Sequence, residues 1–262
     1  KDHHVFAKNI IIASGSSPKM WRLIQTLGHK IVEPVPSLFT FNVKDERLQN
    51  LPGISVEAEV EVFTTKDRGV SKQKLKKLTS SGPLLITHWG MSGPCILKLS
   101  AWGARIFHEL NHQFQLRVNW LPLHNVESLK SMFEELKTKH SKQVLYSNAI
   151  EGLPKRLWQS LLNHISIDPH LNWSNISKNQ IQSLAEELCA GEFHVNGKST
   201  FKDEFVTAGG VSLKEIDFKT FQSKLHKDLY FVGEVLDIDA VTGGFNFQAA
   251  WTSAFICSRH LS

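Results

Sequence analysis

One segment near the carboxyl end constrains the fold more than any other. Residues 229–232 form a short apolar run that ends at Gly233 and is followed at once by Glu234. A glycine at the end of a buried strand lets the backbone approach a ligand closely. The acid would then stand at the carboxyl edge of a sheet, where α/β proteins bind their ligands.

A pair of glycines, Gly243 and Gly244, follows this turn and opens a long apolar helical stretch at residues 245–260. Backbone N–H groups at a helix N-terminus attract anionic or electron-rich groups. The strand, the acid and the helix start together predict a ligand site. A tight strand–turn–helix connection without a ligand explains the local pattern equally well, so both interpretations stay open here.

The middle of the chain carries the alternating pattern of strands. In residues 55–63 every second position is apolar, and Glu57, Glu59 and Glu61 share the other face. This predicts a strand with one side in water, and not an acidic catalytic cluster. Two further alternating stretches lie at residues 37–43 and 114–120.

The pattern becomes helical over residues 126–140, 155–164 and 178–189, and strands return from residue 191. The change of period predicts a small helical subdomain at 124–190, inserted into a β region at 29–123 and 191–204. At the start of the chain, residues 5–12 end in an apolar run that predicts a buried strand, and residues 20–27 predict a short helix closed by Gly28.

Four short motifs occur along the chain. They are Asn-Ile-Ile-Ile-Ala-Ser-Gly at 9–15, Thr-His-Trp-Gly-Met-Ser-Gly-Pro at 87–94, Val-Thr-Ala-Gly-Gly-Val at 206–211, and Gly-Glu-Val-Leu-Asp followed by Gly-Gly-Phe-Asn-Phe-Gln-Ala-Ala within 233–250. In this order they resemble the motifs of a bacterial family of NAD(P)/FAD-dependent oxidoreductases that includes flavoproteins of bile-acid-inducible operons. The resemblance covers nearly the whole chain.

The resemblance implies a flavin-dependent oxidoreductase that passes hydride from NAD(P)H through FAD to a small-molecule acceptor. Flavin carries the redox chemistry, so the protein supplies orientation and one proton donor. Glu234 takes the place of the acid that binds the ribityl chain, and Asp237 is either a second polar contact or a structural cap. The implied FAD-binding residues are Ser14, Gly15, Gly233, Glu234, Asp237, Gly243, Gly244, Phe245 and Asn246.

Related flavoproteins open with Gly-x-Gly-x-x-Gly, which seats the FAD pyrophosphate on a helix N-terminus. The sequence contains no such motif. The expected fold class is therefore α/β plus β: an incomplete Rossmann-like FAD-binding layer at 1–28 and 205–262, with an inserted β-barrel-like domain that carries the helical subdomain. We expect this chain alone to be an incomplete, inactive fragment that binds FAD weakly and self-associates through its incomplete sheet.

His88 and Ser92 are the candidate catalytic residues. His88 ends an apolar run, and the glycine-rich stretch after it, which contains Ser92, leads into a helix. A lone histidine is more often structural than catalytic, so a structural role is the competing interpretation.

A mild excess of positive charge suggests an alternative function for the chain. Lys and Arg number 30 against 25 Asp and Glu, and Lys72, Lys74, Lys76 and Lys77 lie close together. A basic β-barrel could serve as a non-catalytic module that binds nucleic acid. No aromatic residue interleaves with these lysines, which favours a solvated hairpin tip and makes nucleic acid the weaker partner prediction.

The spacing of the cysteines and the hydropathy further limit the class of protein to which the chain can belong. Cys95, Cys189 and Cys257 form no Cys-x-x-Cys pair, so we expect neither a metal site nor a redox dithiol. Free thiols are typical of a reducing cytoplasm, and no apolar run approaches the ~20 residues that span a bilayer. Seven tryptophans are scattered along the chain, which predicts core packing.

Overall fold

The computed structural model describes residues 5–63, 78–150, 152–199 and 206–262. The chain forms two compact units: a terminal unit from Lys1–Leu38 and Phe201–Ser262, and a barrel unit from Phe39–Thr200. The helical region belongs to the barrel unit. The predicted division into three domains at residues 28, 123, 190 and 204 stays a prediction, and the lysine run at 66–77 lies outside the described residues.

The described residues of the terminal unit form two sheets and two main helices. A four-stranded sheet has the order β1-β12-β11-β10, and β2 pairs with β9 in a separate antiparallel ribbon. Its elements are β1 (Ile10–Ile12), α1 (Pro18–Thr26), β2 (Ile31–Ser37), β9 (Val206–Val211), β10 (Ile216–Asp217), β11 (Gln222–Ser223), β12 (Leu229–Phe231) and α7 (Phe245–Leu261).

The parallel pair β1 and β12 brings the two ends of the chain into one sheet, with Ile10 opposite Leu229 and Ile12 opposite Phe231. β1 is shorter than the predicted strand. The expectation that it is buried is wrong, since Ile10 is 57% and Ile11 49% exposed. The helix α1 ends as predicted, because Gly28 adopts a φ of 88° that closes a helix without strain.

The barrel unit is built on a closed barrel of six strands in the order β3-β6-β5-β4-β7-β8, which confirms the predicted barrel. With its helices and the other sheets, the chain is a mixed α/β protein. The strands are β3 (Phe41–Val43), β4 (Ser55–Phe63), β5 (Thr79–Ile86), β6 (Gly90–Ser92), β7 (Gln113–Asn119) and β8 (Gly191–Lys198).

The alternation in β4 sets its orientation in the barrel. Val56, Ala58 and Val60 are buried, while Glu57 and Glu59 between them face solvent. The predicted wet face is therefore observed. The single strand predicted at 37–43 is wrong: Leu38 has a φ of 53°, and the chain leaves β2 there before it enters the barrel at β3.

Helices occur on both sides of β7 in sequence. Two of them, α2 (Pro94–Trp102) and α3 (Ala104–Glu109), precede it; α4 (Val126–Lys139), α5 (Lys155–His164) and α6 (Lys178–Ala190) follow it. Reciprocal side-chain and backbone hydrogen bonds cap α4 through Asn125 and Ser128. A capping box of this kind also begins α6 at Ser177, whereas α5 follows Pro154 without a side-chain cap. All three helices agree with the predicted bounds to within a residue.

A buried arginine joins the helices to the barrel. The Arg47 guanidinium contacts both carboxylate oxygens of Asp45, at 2.8 and 2.7 Å, and Oε1 of Glu187 in α6 at 2.8 Å. It also stacks 3.7 Å from the ring centroid of Phe193 in β8. Burial would raise the pKa of Asp45, but the bonds from Arg47 outweigh it and lower that pKa.

Candidate functional site

The carboxyl ends of β1 and β12 meet at one edge of the terminal unit's sheet. After β12 the chain turns at Gly233, whose φ is 77°, and enters a 3₁₀ turn over Gly233–Val235. The Gly233 N–H donates to Ser253 Oγ of α7 at 2.9 Å. Because β1 runs parallel to β12, Ser14 follows it toward the same edge.

Glu234 is held by the neighbouring ribbon. Its Oε1 accepts the backbone N–H of Thr207 in β9 at 3.1 Å, so one carboxylate oxygen already has a structural partner. The predicted site acid therefore also ties its turn to β9. Sequence reasoning missed this contact, since nothing in the local pattern links residues 207 and 234.

Gly209 and Gly210 in β9 allow the turn that contains Glu234 to lie close to that strand. A Cβ on Gly210 would lie 2.5 Å from the Val235 carbonyl oxygen, and Gly210 has a φ of 134°. A Cβ on Gly209 would lie 2.6 Å from the Glu33 carbonyl oxygen of β2. Only glycine fits such close backbone approaches on both sides of a strand.

The start of α7 is built by Gly243 and Gly244, with φ values of 120° and 85°. Gly244 is the N-cap residue and provides no side-chain cap, and the Gln248 N–H donates to its carbonyl at 2.8 Å. The N–H groups of the first turn, from Phe245 onward, therefore precede the first intrahelical bond and can serve a ligand. A Cβ at Gly244 would meet nothing within 4 Å, so space is open there.

Asn246 orders the loop that precedes this helix. Its Oδ1 accepts the Ala240 N–H at 2.9 Å, and its Nδ2 donates to the Ala240 carbonyl at 3.0 Å. Ser37 Oγ donates to Asp239 Oδ2 at 3.2 Å. The Asp237 N–H donates to the Val211 carbonyl at 3.1 Å, so the backbone of Asp237 is fixed to β9.

These elements enclose a cleft of about 460 Å³ in the terminal unit. The volume lies within the ~300–1,000 Å³ of small-molecule sites. Five predicted cofactor-binding residues line it: Gly233, Glu234, Gly243, Gly244 and Asn246. Apolar lining comes from Leu38, Val206, Ile238, Val241 and Phe247, among others.

Ser14 and Gly15 lie on the loop between β1 and α1. Ser14 Oγ is buried and has no hydrogen-bond partner among the described residues. A buried hydroxyl without a partner costs about 1–3 kcal/mol, so such an atom marks a place where a polar group is missing. Gly15 adopts a φ of 59°, and a Cβ there would meet nothing within 4 Å.

The candidate catalytic residues His88 and Ser92 lie in the barrel unit and have different surroundings. His88 is exposed and lines a second cleft, of about 1000 Å³. The Ser92 hydroxyl accepts a hydrogen bond from Thr40 Oγ1 at 2.9 Å. No hydrogen bond joins His88 to Ser92 in the part of the chain that the structure describes.

A buried Ser-His-Glu arrangement, which sequence reasoning did not assign, joins His29, Ser223 and Glu215. His29 Nδ1 lies 2.9 Å from Glu215 Oε2, and Ser223 Oγ lies 3.0 Å from His29 Nε2. The backbone N–H groups of Leu225 and His226 also donate to Ser223 Oγ. Because His29 and Ser223 are both buried, this set fastens β11 to the start of β2 and offers no open nucleophile.

Burial also makes the thiols poor nucleophiles, because it raises their pKa values. Burial raises the pKa of Cys95 to about 12 and that of Cys189 to about 11, which keeps both protonated at neutral pH. Among the described residues, no group of three or more His, Cys, Asp or Glu could hold a metal ion. Within those same stretches, the helices are too short or too polar to cross a membrane.

Residues 35–206 match the family described as "HI0933-like protein barrel and H2TH domain". The chain therefore belongs to this HI0933-like family, and the matched segment contains the six-stranded barrel and the helices α4 to α6.

Three curated proteins are similar over nearly the whole chain. A ribosomal RNA dihydrouridine synthase of Haemophilus influenzae is 31% identical over 97% of this chain and 60% of its own length. A protein of the same name from Escherichia coli is 29% identical, over 94% of this chain and 57% of its own length. A 3-dehydro-bile acid delta(4,6)-reductase of Clostridium scindens is 26% identical, over 94% and 58%.

This chain thus spans about three-fifths of the length of these relatives. All three names are those of enzymes, and the bile-acid reductase relates the family to oxidoreductases.

Proposed function

We propose that the protein to which this chain belongs is an FAD-dependent reductase that saturates a carbon–carbon double bond conjugated to a carbonyl, with uridine in ribosomal RNA as its substrate. The observation that carries the proposal is the 460 Å³ cleft, in which a strand–glycine–acid turn meets an open helix N-terminus. The names of the two dihydrouridine synthases favour the RNA substrate.

The residues of the cleft fit a flavin. The N–H groups that begin α7 are suited to the electron-rich pyrimidine edge, since a helix N-terminus stabilises negative charge. Glu234 would accept a ribityl hydroxyl with the carboxylate oxygen that Thr207 leaves available. Ser14 lies on the loop after β1 and not in the lining of the cleft; its buried Oγ, which lacks a described partner, would serve the diphosphate–ribityl region. Asp237 and Gly15 remain proposed members of this set.

When bound, FAD would supply the two electrons of the reduction, and we propose NAD(P)H as their source. The chain's own task is to orient the substrate, exclude water and provide a proton. Of the two candidate proton donors we favour His88, because its side chain is exposed in a cleft whereas Ser92 is only partly exposed. The proposed Rossmann-like character of the terminal unit would rest on the parallel pair β1 and β12.

The reactions that the names dihydrouridine synthase and bile-acid reductase describe are chemically related. Dihydrouridine carries two more hydrogen atoms than uridine, at the bond conjugated with the uracil C4 carbonyl. A reductase of 3-dehydro bile acids acts on double bonds conjugated with a ring carbonyl. A 3-oxo steroid is therefore the second candidate substrate, favoured by the 26% identity to the Clostridium scindens enzyme.

The test uses the complete gene product and the 262-residue chain in parallel. Each is mixed with FAD, freed of excess by gel filtration and examined by its visible spectrum. We expect a stoichiometric yellow complex for the complete product and little or none for this chain alone. A colourless complete product would refute the proposal, as would a complex that forms no dihydrouridine from ribosomal RNA and NAD(P)H.

Variants of Glu234 separate ligand binding from structure. Glu234→Gln keeps an oxygen that can accept the Thr207 N–H but removes the charge, whereas Glu234→Ala removes both. A hydrogen bond to a charged group contributes about 1.5–3 kcal/mol, so Glu234→Ala should weaken FAD binding roughly ten- to a hundredfold. Glu109→Ala, at the exposed end of α3, is the control. Equal affinities in all variants would remove Glu234 from the site.

We propose in addition that the isolated chain associates with a second copy through its incomplete sheet. Among the described residues β1 is an edge strand of the four-stranded sheet, and its Ile10 and Ile11 are 57% and 49% exposed. An open strand edge favours pairing with another chain. Sedimentation of Ile11→Lys should give a lower mass than the wild-type chain, and identical masses would exclude this surface.

A further inference from the structure

The barrel unit contains a further cleft, of about 720 Å³, at the point where the chain leaves β7 for the helices. Its volume lies within the ~300–1,000 Å³ of small-molecule sites, which are largely apolar and carry a few polar groups. The polar side chains of its lining are Glu57, Ser81 and His124. The apolar side chains are those of Trp120, Leu121, Pro122, Leu123, Met132 and Ile150.

Hydrogen bonds fix the segment that forms one wall of this cleft. Asn119 Oδ1 accepts the Leu121 N–H at 2.9 Å, and Asn119 Nδ2 donates to the His124 carbonyl at 3.0 Å. The His124 N–H donates to the Leu121 carbonyl at 2.8 Å, which closes the turn. The Trp120 N–H donates to the Leu188 carbonyl of α6, also at 2.8 Å. The wall is therefore ordered without any ligand.

The rim of the cleft is apolar and open to water. Leu123 lies on the fixed turn and is 95% exposed. Pro122 beside it is also exposed, and Met132 of α4 is half-buried. A ligand in the cleft would remove this apolar surface from water, which is the main favourable contribution to binding at such a site.

Trp120 brings a polar group without a partner to the border of the cleft. Four of the seven tryptophans are buried, at positions 21, 120, 158 and 173, and three are exposed, at 89, 102 and 251, although all were expected in the core. Trp21 and Trp158 donate their indole N–H groups to the carbonyls of Val235 and Leu145. Trp120 is 0% exposed, and its Nε1 has no hydrogen-bond partner among the described residues. A buried donor without an acceptor is unfavourable, so a ligand that brings an oxygen to Trp120 would gain free energy.

Charge decides which class of ligand suits the cleft. Glu57 lies on the exposed face of β4 and lines the cleft. Glu61 on the same face is paired with Arg117, whereas no Lys or Arg occurs among the described lining residues of the cleft. A carboxylate without a cation beside it repels an anion, so phosphates and nucleic acids are unsuitable ligands here.

We propose that this cleft binds an uncharged, apolar small molecule that carries a carbonyl oxygen. The oxygen accepts the Trp120 indole N–H, and Leu123 and Met132 cover the apolar body. All lining residues belong to the barrel unit and none belongs to the proposed flavin cleft, so the site does not depend on the proposed function.

The experiment follows the methionine methyl groups by NMR in the complete gene product that contains this chain. Met132 lines the cleft, Met20 packs against the core of the terminal unit, and Met91 is buried in β6. Each signal is assigned by its loss in a leucine variant. The probe is coumarin, an uncharged ring system with one carbonyl. We expect coumarin to shift the Met132 signal to saturation and to leave the Met20 and Met91 signals in place. No shift at Met132, or equal shifts of all three signals, would overturn the proposal.

Two variants test the contacts by their affinity for coumarin. Trp120→Phe keeps an aromatic ring and removes the N–H; a neutral hydrogen bond contributes about 0.5–1.5 kcal/mol, so binding should weaken about 2- to 12-fold. Trp158→Phe, which changes another buried tryptophan, is the matched control and should bind as the wild type does. Leu123→Ser changes an exposed residue, so the fold should persist while the loss of about 1–2 kcal/mol of apolar burial weakens binding about 5- to 30-fold. Leu225→Ser, at a half-exposed position of the terminal unit, is its control. Unchanged affinity in Leu123→Ser, or an equal loss in either control, would overturn the site.

Coumarin-3-carboxylate tests the choice of an uncharged ligand. It adds one negative charge to the same ring system, and a repulsion of about 1 kcal/mol from Glu57 should make it bind roughly fivefold more weakly than coumarin. Glu57→Gln should remove this difference, whereas Glu109→Gln at the end of α3 should preserve it. Equal affinities of the two probes for the wild type would overturn the class of ligand. A Met132 signal that moves on dilution of the protein alone would show that a second copy covers the cleft, and would overturn the proposal.

Discussion

The two hydrogen bonds between Asn246 and Ala240 allow a quantitative test of how the candidate site is ordered. Both bonds are partly buried and link the start of α7 to the loop before it. Each such bond contributes about 1 kcal/mol, so Asn246→Leu, which has a similar volume and removes both, should favour loop opening by about 1.5–2 kcal/mol. Opening should then be roughly 10- to 30-fold more frequent.

Hydrogen exchange at the Ala240 amide reads this equilibrium directly, because its N–H is the donor to Asn246 Oδ1. The exchange rate should rise by the same factor in Asn246→Leu. Asn246→Asp keeps the acceptor and loses the donor, while its charge is favourable in the first turn of a helix, so its rate should be intermediate. Gln248→Ala, whose amide reaches only Thr252 in the same helix, is the control.

Two outcomes would refute the reasoning. If Asn246→Leu left the exchange of Ala240 unchanged, the loop would be ordered by something other than this side chain. If Asn246→Asp exchanged faster than Asn246→Leu, charge repulsion would dominate over the retained acceptor bond.

Three further predictions concern stability. Gly210→Ala should lower the free energy of unfolding in urea by about 3–5 kcal/mol, because its Cβ would lie 2.5 Å from a carbonyl oxygen and its φ is 134°. Gly28→Ala, whose Cβ would meet nothing within 4 Å, should cost about 1–2 kcal/mol, and equal costs would contradict the close approach at Gly210. Burial lowers the pKa of His112 from 6.5 to about 4, so the unfolded state takes up the proton at a higher pH than the folded state does. The free energy of unfolding should therefore fall by about 1–2 kcal/mol, after solvent screening, as the pH drops from 6.5 to 4. This dependence on pH should weaken in His112→Asn, and an unchanged dependence would refute the role of His112. Arg47→Met should cost about 3–5 kcal/mol, because it leaves two partly buried carboxylates without their buried partner. Arg117→Gln, which breaks half-exposed pairs, should cost at most about 1 kcal/mol, and a small loss in Arg47→Met would show that the Arg47 network adds little.

The sequence by itself determined the features that depend on local pattern. The alternation of residues 55–63 predicted β4 with its true bounds and its wet face. The apolar run before Gly233 and the pair Gly243 and Gly244 predicted a strand, a turn and a helix start where each is observed. The hydrophobic period and the backbone conformation depend on neighbouring residues, so these elements can be predicted without knowing their distant partners.

Tertiary structure decided which elements pair and which side chains are covered. The strand β2 pairs with β9, some 170 residues away in sequence, and not with the barrel strand that follows it. Arg47 is buried because Glu187 and Asp45 converge on it, whereas Trp89 is 56% exposed although Gly90 beside it is buried. Burial is the outcome of competition among all apolar surfaces of the folded chain, so it cannot be read from the residues on either side.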